Sequence, residues 1–191
     1  MSALRKVAYL TEQDYLAFEL TAPEKHEYVD GEIFAMAGAS SQHNRICVNI
    51  LFHLRAKTRG SGCAVFTADI KCRIPQTPAY YYPDVMLSCH ESPEDDDYYI
   101  HQPCLIAEVL SKSTQNTDRR EKWHAYQRIE YLRYYLLIDS CKKQVDYFIR
   151  SSDGSWQKAE LEENETLVIT CNNYQSTLTL ADIYEDIRFL A

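Results

Sequence analysis

No stretch of this chain is apolar for long enough to cross a bilayer, which takes about 18 residues. The N-terminus, MSALRKVAYLTEQDYLAF, also lacks the uninterrupted apolar core of a signal peptide. A cytoplasmic protein with no membrane partner is expected. The seven cysteines (Cys47, Cys63, Cys72, Cys89, Cys104, Cys141 and Cys171) are odd in number and contain no C-x-x-C pair. Neither a disulfide framework nor a zinc site is therefore favoured, and reduced, mostly buried thiols are expected. No internal repeat or low-complexity tract is present, and there is no Gly-rich phosphate loop, G-x-S-x-G elbow, H-E-x-x-H or EF-hand pattern, so several common enzyme classes are removed. Positive charge is outnumbered, with 20 Lys and Arg against 28 Asp and Glu. A formal net charge of −8 argues against a protein that simply coats nucleic acid, because such binding rests on Lys and Arg neutralising phosphates.

What is present is an ordinary globular composition. With 46% hydrophobic and 25% charged residues over 191 positions, the chain can bury one core and is short for two. A single domain over 1–191 is expected, with a core at about 40–140, an N-terminal helix and hairpin over 11–36, and C-terminal strands with a short helix over 143–190. The charge is distributed unevenly. Residues 43–73 carry six basic side chains against Asp69 alone, residues 110–150 carry nine against five acids, and residues 84–108 between them carry seven acids and no Lys or Arg.

The element pattern is mixed. Thr11 with Asp14 three residues on can cap a helix ending near Pro23. YVDGEIFAM reads as a hairpin about Asp30-Gly31. Ser40 or Ser41 opens a longer helix whose Ile46, Ile50 and Leu54 recur at four-residue spacing. CAVFTADIKCRI reads as one strand, and YYYPDVMLS as another with Pro83 at its start or edge. PCLIAEVLS is the near-continuous apolar run of a central strand buried on both faces. DRREKWHAYQRIEY has helical composition, YYLLID and QVDYFIR are strands, SSDGS is a turn, TLVIT is a further strand, and LADIYEDI closes the chain as a helix. A mixed α/β sheet flanked by helices follows, with the C-terminal hairpin as an elaboration.

Glu108 carries the most information, because it is the one ionised residue in CLIAEVL, where its neighbours all seek burial. A buried carboxylate must be matched by a cation, a retained proton or a metal ion. Asp84 similarly heads the apolar PDVML. If the two strands are neighbours, about 5 Å apart, both acids can converge on one ion, and hard oxygen ligands favour Mg²⁺ or Mn²⁺ over zinc. Lys122 follows one strand-to-helix turn later, on the helical face it shares with Asp118 and Tyr126. It could orient an attacking water and stabilise charge on a phosphoryl oxygen, or simply pair with Asp118 on the surface. Glu27 precedes the hairpin, where acids are ordinary. His43, near the start of the long helix, could touch a phosphate or support the site.

The run HEYVDGEIFAMAGASSQHNRI, then YYPDVML, LIAEVLSKSTQNTDRREKWHAY and YYLLID, resembles in content and order the restriction-endonuclease family abundant in cyanobacterial genomes. The resemblance covers nearly the whole chain and implies the PD-(D/E)XK (restriction endonuclease-like) fold, whose members are mostly Mg²⁺-dependent nucleases acting on DNA. It implies that Asp84 is the acid of the PD half and Glu108 that of the second half. Leu110 stands where the superfamily usually has its lysine, and the resemblance moves that role to Lys122. Glu27 matches the acid near the first helix that often completes such sites, and His43 a recurrent family position of unassigned role. An endonuclease is implied in which Asp84, Glu108 and the Val109 backbone carbonyl hold Mg²⁺ (or Mn²⁺), Glu27 ligands a second ion or orders a water, and Lys122 positions the nucleophile. His43, Arg45, Arg119 and Arg120 are candidate contacts to DNA, and a homodimer would bring two sites to the two strands. The other readings are a nuclease-fold binding or regulatory protein without the reaction, and a nuclease acting on RNA.

Overall fold

A computed structural model of the chain describes residues 9–90, 95–111 and 121–189. Helix α1 (Glu12–Glu19) begins at Thr11, whose side chain accepts from the Asp14 amide while the Asp14 carboxylate accepts from the Thr11 amide. This is the reciprocal cap its spacing predicts. Strands β1 (His26–Val29) and β2 (Glu32–Ala35) form the expected hairpin. Asp30 and Gly31 both have positive φ, 45° and 88°, the geometry of a two-residue turn matched to strand twist. A side chain at Gly31 would also collide with the Tyr9 ring. Helix α2 (Ser41–Arg55) is capped by Ser40 and buries Ile46, Ile50 and Leu54, the stripe read from the sequence.

Two segments expected as single strands are each divided. CAVFTADIKCRI splits at a turn over 67–70 into β3 (Ala64–Thr67) and β4 (Lys71–Ile74). YYYPDVMLS splits at Pro83 into β5 (Ala79–Tyr81) and β6 (Val85–Ser88). In both cases the halves join different sheets. After β7 (Tyr99–Ile100), strand β8 (Pro103–Leu110) is buried at every position, as expected of a central strand. Then come a short helix α3 (Trp123–Tyr126), β9 (Tyr134–Asp139), β10 (Val145–Arg150), β11 (Trp156–Glu160), β12 (Leu167–Cys171), β13 (Tyr174–Leu178) and a capped helix α4 (Leu180–Ile183).

The strands form a six-stranded mixed sheet in the order β11-β10-β9-β8-β6-β3, a five-stranded sheet in the order β2-β1-β5-β4-β7, and the hairpin β12-β13. The C-terminal strands therefore do two jobs rather than one. β10 and β11 extend the main sheet, while β12 and β13 cover a face of it. Alternation along β8 sorts the core. Leu105, Ala107 and Val109 pack with α2, β12, β13 and α4, whereas Ile106 and Leu110 pack with Tyr126, Ile129 and the buried residues of β4 and β5. A third cluster, Tyr15, Tyr28 and Tyr80, seats α1 on the smaller sheet, with the Tyr15 and Tyr28 rings stacked at 4.8 Å.

The expectation of reduced thiols is corrected. Cys63–Cys89 and Cys104–Cys171 are disulfides, leaving Cys47, Cys72 and Cys141 free. Both pairings follow from topology that spacing along the chain does not contain. Ala64 pairs with Ser88 across β3 and β6, so Cys63 and Cys89 continue that ladder with Cα atoms 4.1 Å apart. The second bridge ties the start of β8 to the end of β12.

Candidate active site

β6 and β8 are neighbours, as the metal reading required, but they run antiparallel. Val85 pairs with Ala107, so extending that register by one residue sets Asp84, at the head of β6, across from Glu108, near the tail of β8. Asp84 Oδ2 accepts a 2.7 Å hydrogen bond from the Val109 amide, filling the next acceptor position of the ladder with a side chain. Main-chain groups of successive strand residues point to alternate sides. Since the Leu110 carbonyl accepts from Ser140 on the β9 side and the Val109 amide points to β6, the Val109 carbonyl also faces Asp84.

Glu108 projects to the α3 face. Its Oε1 accepts from the Tyr126 hydroxyl at 2.8 Å, and Lys122 Nζ lies 3.6 Å from the same oxygen. Lys122 and Tyr126, four residues apart, thus reach one carboxylate, as their shared helical face predicts. Lys122 is no surface partner. It is 8% exposed, its ammonium is 2.8 Å from Glu27 Oε1, and it lies 5.7 Å from the centroid of the Tyr81 ring. Glu27 reaches it because β1 alternates: His26 and Tyr28 are buried and Glu27 points the other way, where it also accepts from the Tyr82 amide at 3.3 Å.

The neighbouring acids record how closely these charges gather. Burial, then Glu108 and Glu27, hold the Tyr126 hydroxyl far above the usual tyrosine range. Burial and Glu27 push Tyr81 up to about 12, with Lys122 opposing. The thiol of Cys47 is raised by burial and then by the charges of Asp84 and Glu108, so both acids lie close to α2.

His43 approaches from that helix. Its Nε2 is 3.2 Å from Asp84 Oδ2, and its Nδ1 is 3.6 Å from Cys47 Sγ. The structure thus brings Glu27, His43, Asp84, Glu108, Lys122 and the Val109 carbonyl to one end of the β6–β8 pair. It does not bring Arg45 there. Two residues along α2 from His43, Arg45 points away from the carboxylates and donates to the Asp186 carbonyl at 3.1 Å. Arg119, Arg120 and Asp118 lie outside the described residues. Sequence reasoning put Tyr126 on the Lys122 face without reading it as the donor to Glu108, and missed Cys47 beside His43. Both sit four residues from a residue already singled out, which is the signal that could have found them.

The donor set fits a hard divalent cation. Glu27 and Glu108 share one ammonium, Asp84 lies at the same end of the strands, and Asp84, Glu108 and the Val109 carbonyl offer oxygen.

The fold is shared with the crystal structure of a "putative nuclease belonging to DUF820" from Anabaena variabilis, with a TM-score of 0.70, covering 92% of this chain and 97% of that one at 15% identity. The family model described as "Uma2: Putative restriction endonuclease" matches residues 12–181, and the chain belongs to that family. Two uncharacterized proteins of Synechocystis are relatives. One is 36% identical over 77% of this chain and 77% of its own length, the other 35% identical over 84% and 92%. No helix among the described residues is long and apolar enough to cross a membrane.

Proposed function

We propose that this protein is a Mg²⁺-dependent endonuclease, also served by Mn²⁺, that hydrolyses phosphodiester bonds of DNA. The observation that carries the reading is the Lys122 ammonium, buried between Glu27 and Glu108 at the end of β8 where Asp84 also lies. A cation of this kind is needed beside a scissile phosphate, and Leu110 cannot supply one. Asp84, Glu108 and the Val109 carbonyl would hold the divalent ion. When bound, that ion would neutralise charge on the phosphoryl group and make water a better nucleophile at neutral pH. Lys122 donates hydrogen bonds to the attacking water and to the oxygen where charge grows, and is itself held in place by Glu27. Tyr126 fixes the Glu108 carboxylate so that its geometry does not depend on the ion. His43 does the same for Asp84. The products are a 3′-hydroxyl and a 5′-phosphate. A cytoplasmic homodimer would present two such sites to a duplex.

The test is cleavage of plasmid and linear duplex DNA with Mg²⁺ or Mn²⁺ by the parent, Glu108→Ala and Lys122→Ala. Cleavage by the parent alone supports the reading. Equal cleavage by all three, or none across broad DNA substrates, overturns it, and cleavage confined to RNA in a parallel assay reassigns the substrate.

A further inference from the structure

The thiol of Cys47 is not used by the nuclease reading, although it stands beside His43 and Asp84, which are. His43 and Cys47 stand one turn apart on α2, and together with Asp84 each can offer one ligand atom such that the three atoms all lie within 4.8 Å of one another. Among the described residues this is the group of three His, Cys, Asp or Glu side chains that meets that spacing. The donors are a nitrogen, a sulfur and an oxygen, a set that suits zinc and is poor for Mg²⁺. The 3.6 Å separation of Cys47 Sγ from His43 Nδ1 is close to the edge of a tetrahedron with Zn–S near ~2.3 Å and Zn–N near ~2.0 Å, and since Asp84 Oδ2 meets the other ring nitrogen, Nε2, at 3.2 Å, taking an ion on one nitrogen gives up one of these two contacts. Such a site needs support behind its ligands. Asp84 has it in the Val109 amide at 2.7 Å, and both α2 ligands are anchored by a helix whose Ile46 and Ile50 are fully buried.

We propose that His43, Cys47 and Asp84 form a Zn²⁺ site that overlaps the Mg²⁺ site through Asp84, so that zinc and magnesium cannot both take that carboxylate. On binding, the Cys47 S–H bond breaks, the thiolate sulfur ligates the ion and the proton passes to solvent; no electron is transferred. Zinc occupancy thereby holds the nuclease inactive, and this last consequence rests on the nuclease reading whereas the zinc site does not.

Full-length protein titrated with Co²⁺ alone, in the absence of DNA, provides the test, because a thiolate bound to Co²⁺ gives a near-ultraviolet charge-transfer band. The band is expected in the parent and in Cys141→Ser, absent in Cys47→Ser, and in His43→Gln reached only at Co²⁺ concentrations about ten-fold higher or more. One equivalent of Zn²⁺ should abolish it. Millimolar Mg²⁺ should raise the apparent Co²⁺ dissociation constant of the parent, and less so in Glu108→Gln, where Mg²⁺ has lost a ligand. Circular dichroism checks that the variants are folded. A band that survives in Cys47→Ser, or none in the parent, overturns the zinc site. Absence of Mg²⁺ competition overturns the overlap. Co²⁺ and Zn²⁺ binding through Cys47 in a protein that cuts no DNA supports the site and sinks only the nuclease reading, so the two fail separately.

Discussion

The two faces of the six-stranded sheet are built by different means, although both reach the same pair of carboxylates. The α2 face is aliphatic and covalently tied. Both disulfides lie in or against its core, and the groups it offers the site are an imidazole and a thiol. The α3 face has no disulfide among the described residues and is aromatic. Trp123 packs 5.3 Å from Tyr135 and 4.2 Å from Phe148, and at its centre sits the Glu27–Lys122–Glu108 charge group with the Tyr126 hydroxyl. One face sets where Asp84 stands, and the other supplies the charge that a phosphate would meet. A face that carries buried charge depends on each member being present, whereas a cross-linked aliphatic face tolerates adjustment.

The largest effect should therefore follow from breaking the charged face. Lys122→Met is expected to lower DNA cleavage about a thousand-fold while leaving Mg²⁺ affinity, measured by calorimetry, undiminished, because a positive charge has been removed from beside the ion's ligands. The same change strands Glu27 and Glu108, whose side chains are 16% and 5% exposed, and should cost about 3 kcal/mol in urea unfolding. Adding Glu27→Gln removes one of the stranded charges and should recover part of that stability without restoring activity. A Lys122→Met protein as stable and as active as the parent would erase the distinction between the faces.

The α2 face is challenged by reduction. Cys104–Cys171 closes a loop of 67 residues, so on chain-entropy grounds Cys104→Ser should lower stability by about 4 kcal/mol. Because the loss falls on the aliphatic side, the Lys122–Glu108 group should stay assembled, and residual cleavage below the new melting point should be near that of the parent. A smaller loss is expected on the opposite face. Tyr126→Phe removes a 2.8 Å hydrogen bond to a buried carboxylate and should cost about 2 kcal/mol, with Glu108 then held by Lys122. Cleavage rates measured alongside would show how much of Glu108's position the phenol sets.

These contrasts also mark how far the residues alone could be read. Glu108 was legible because an isolated carboxylate in CLIAEVL demands a partner, and Lys122 with Tyr126 because helical periodicity puts them on one side. The caps at Thr11 and Ser40 and the Asp30-Gly31 turn were legible because they are local. The assignment of 63–74 and 79–88 to different sheets was not. Each is a run of strand-forming residues, and a break within it becomes visible only once the partners of β4 and β5 are known. The disulfides were misread for the same reason. Cys104 meets Cys171 across 67 positions of chain, so that pairing is a property of the topology rather than of spacing, whereas Cys47 is the free thiol expected and only its nearness to Asp84, 37 positions on, needed the fold.

The subtlest difference between the faces is in how their tyrosines titrate. Tyr81 lies beside Glu27 and Lys122, and its hydroxyl is pushed up from 10.0 to about 12, first by burial, then by the Glu27 charge, with Lys122 pulling the other way. In the unfolded chain Tyr81 loses its proton near 10.0, while the folded chain keeps it to about 12. Between those values the unfolded state binds fewer protons, so the stability that Tyr81 contributes is fully present below pH 10 and is lost as the pH rises through that window. Stability curves of the parent and Tyr81→Phe should therefore run parallel up to pH 10 and converge or cross above it, the phenylalanine variant being the less sensitive to alkali. In Lys122→Met the opposing charge is gone, and the Tyr81 absorbance change near 295 nm should move to still higher pH. On the α2 face Tyr184 is raised as well, chiefly by burial, but Lys122 is not among the charges acting on it, so its titration should not respond to Lys122→Met. A shift common to both tyrosines would mean that the variant loosens the whole sheet rather than one face.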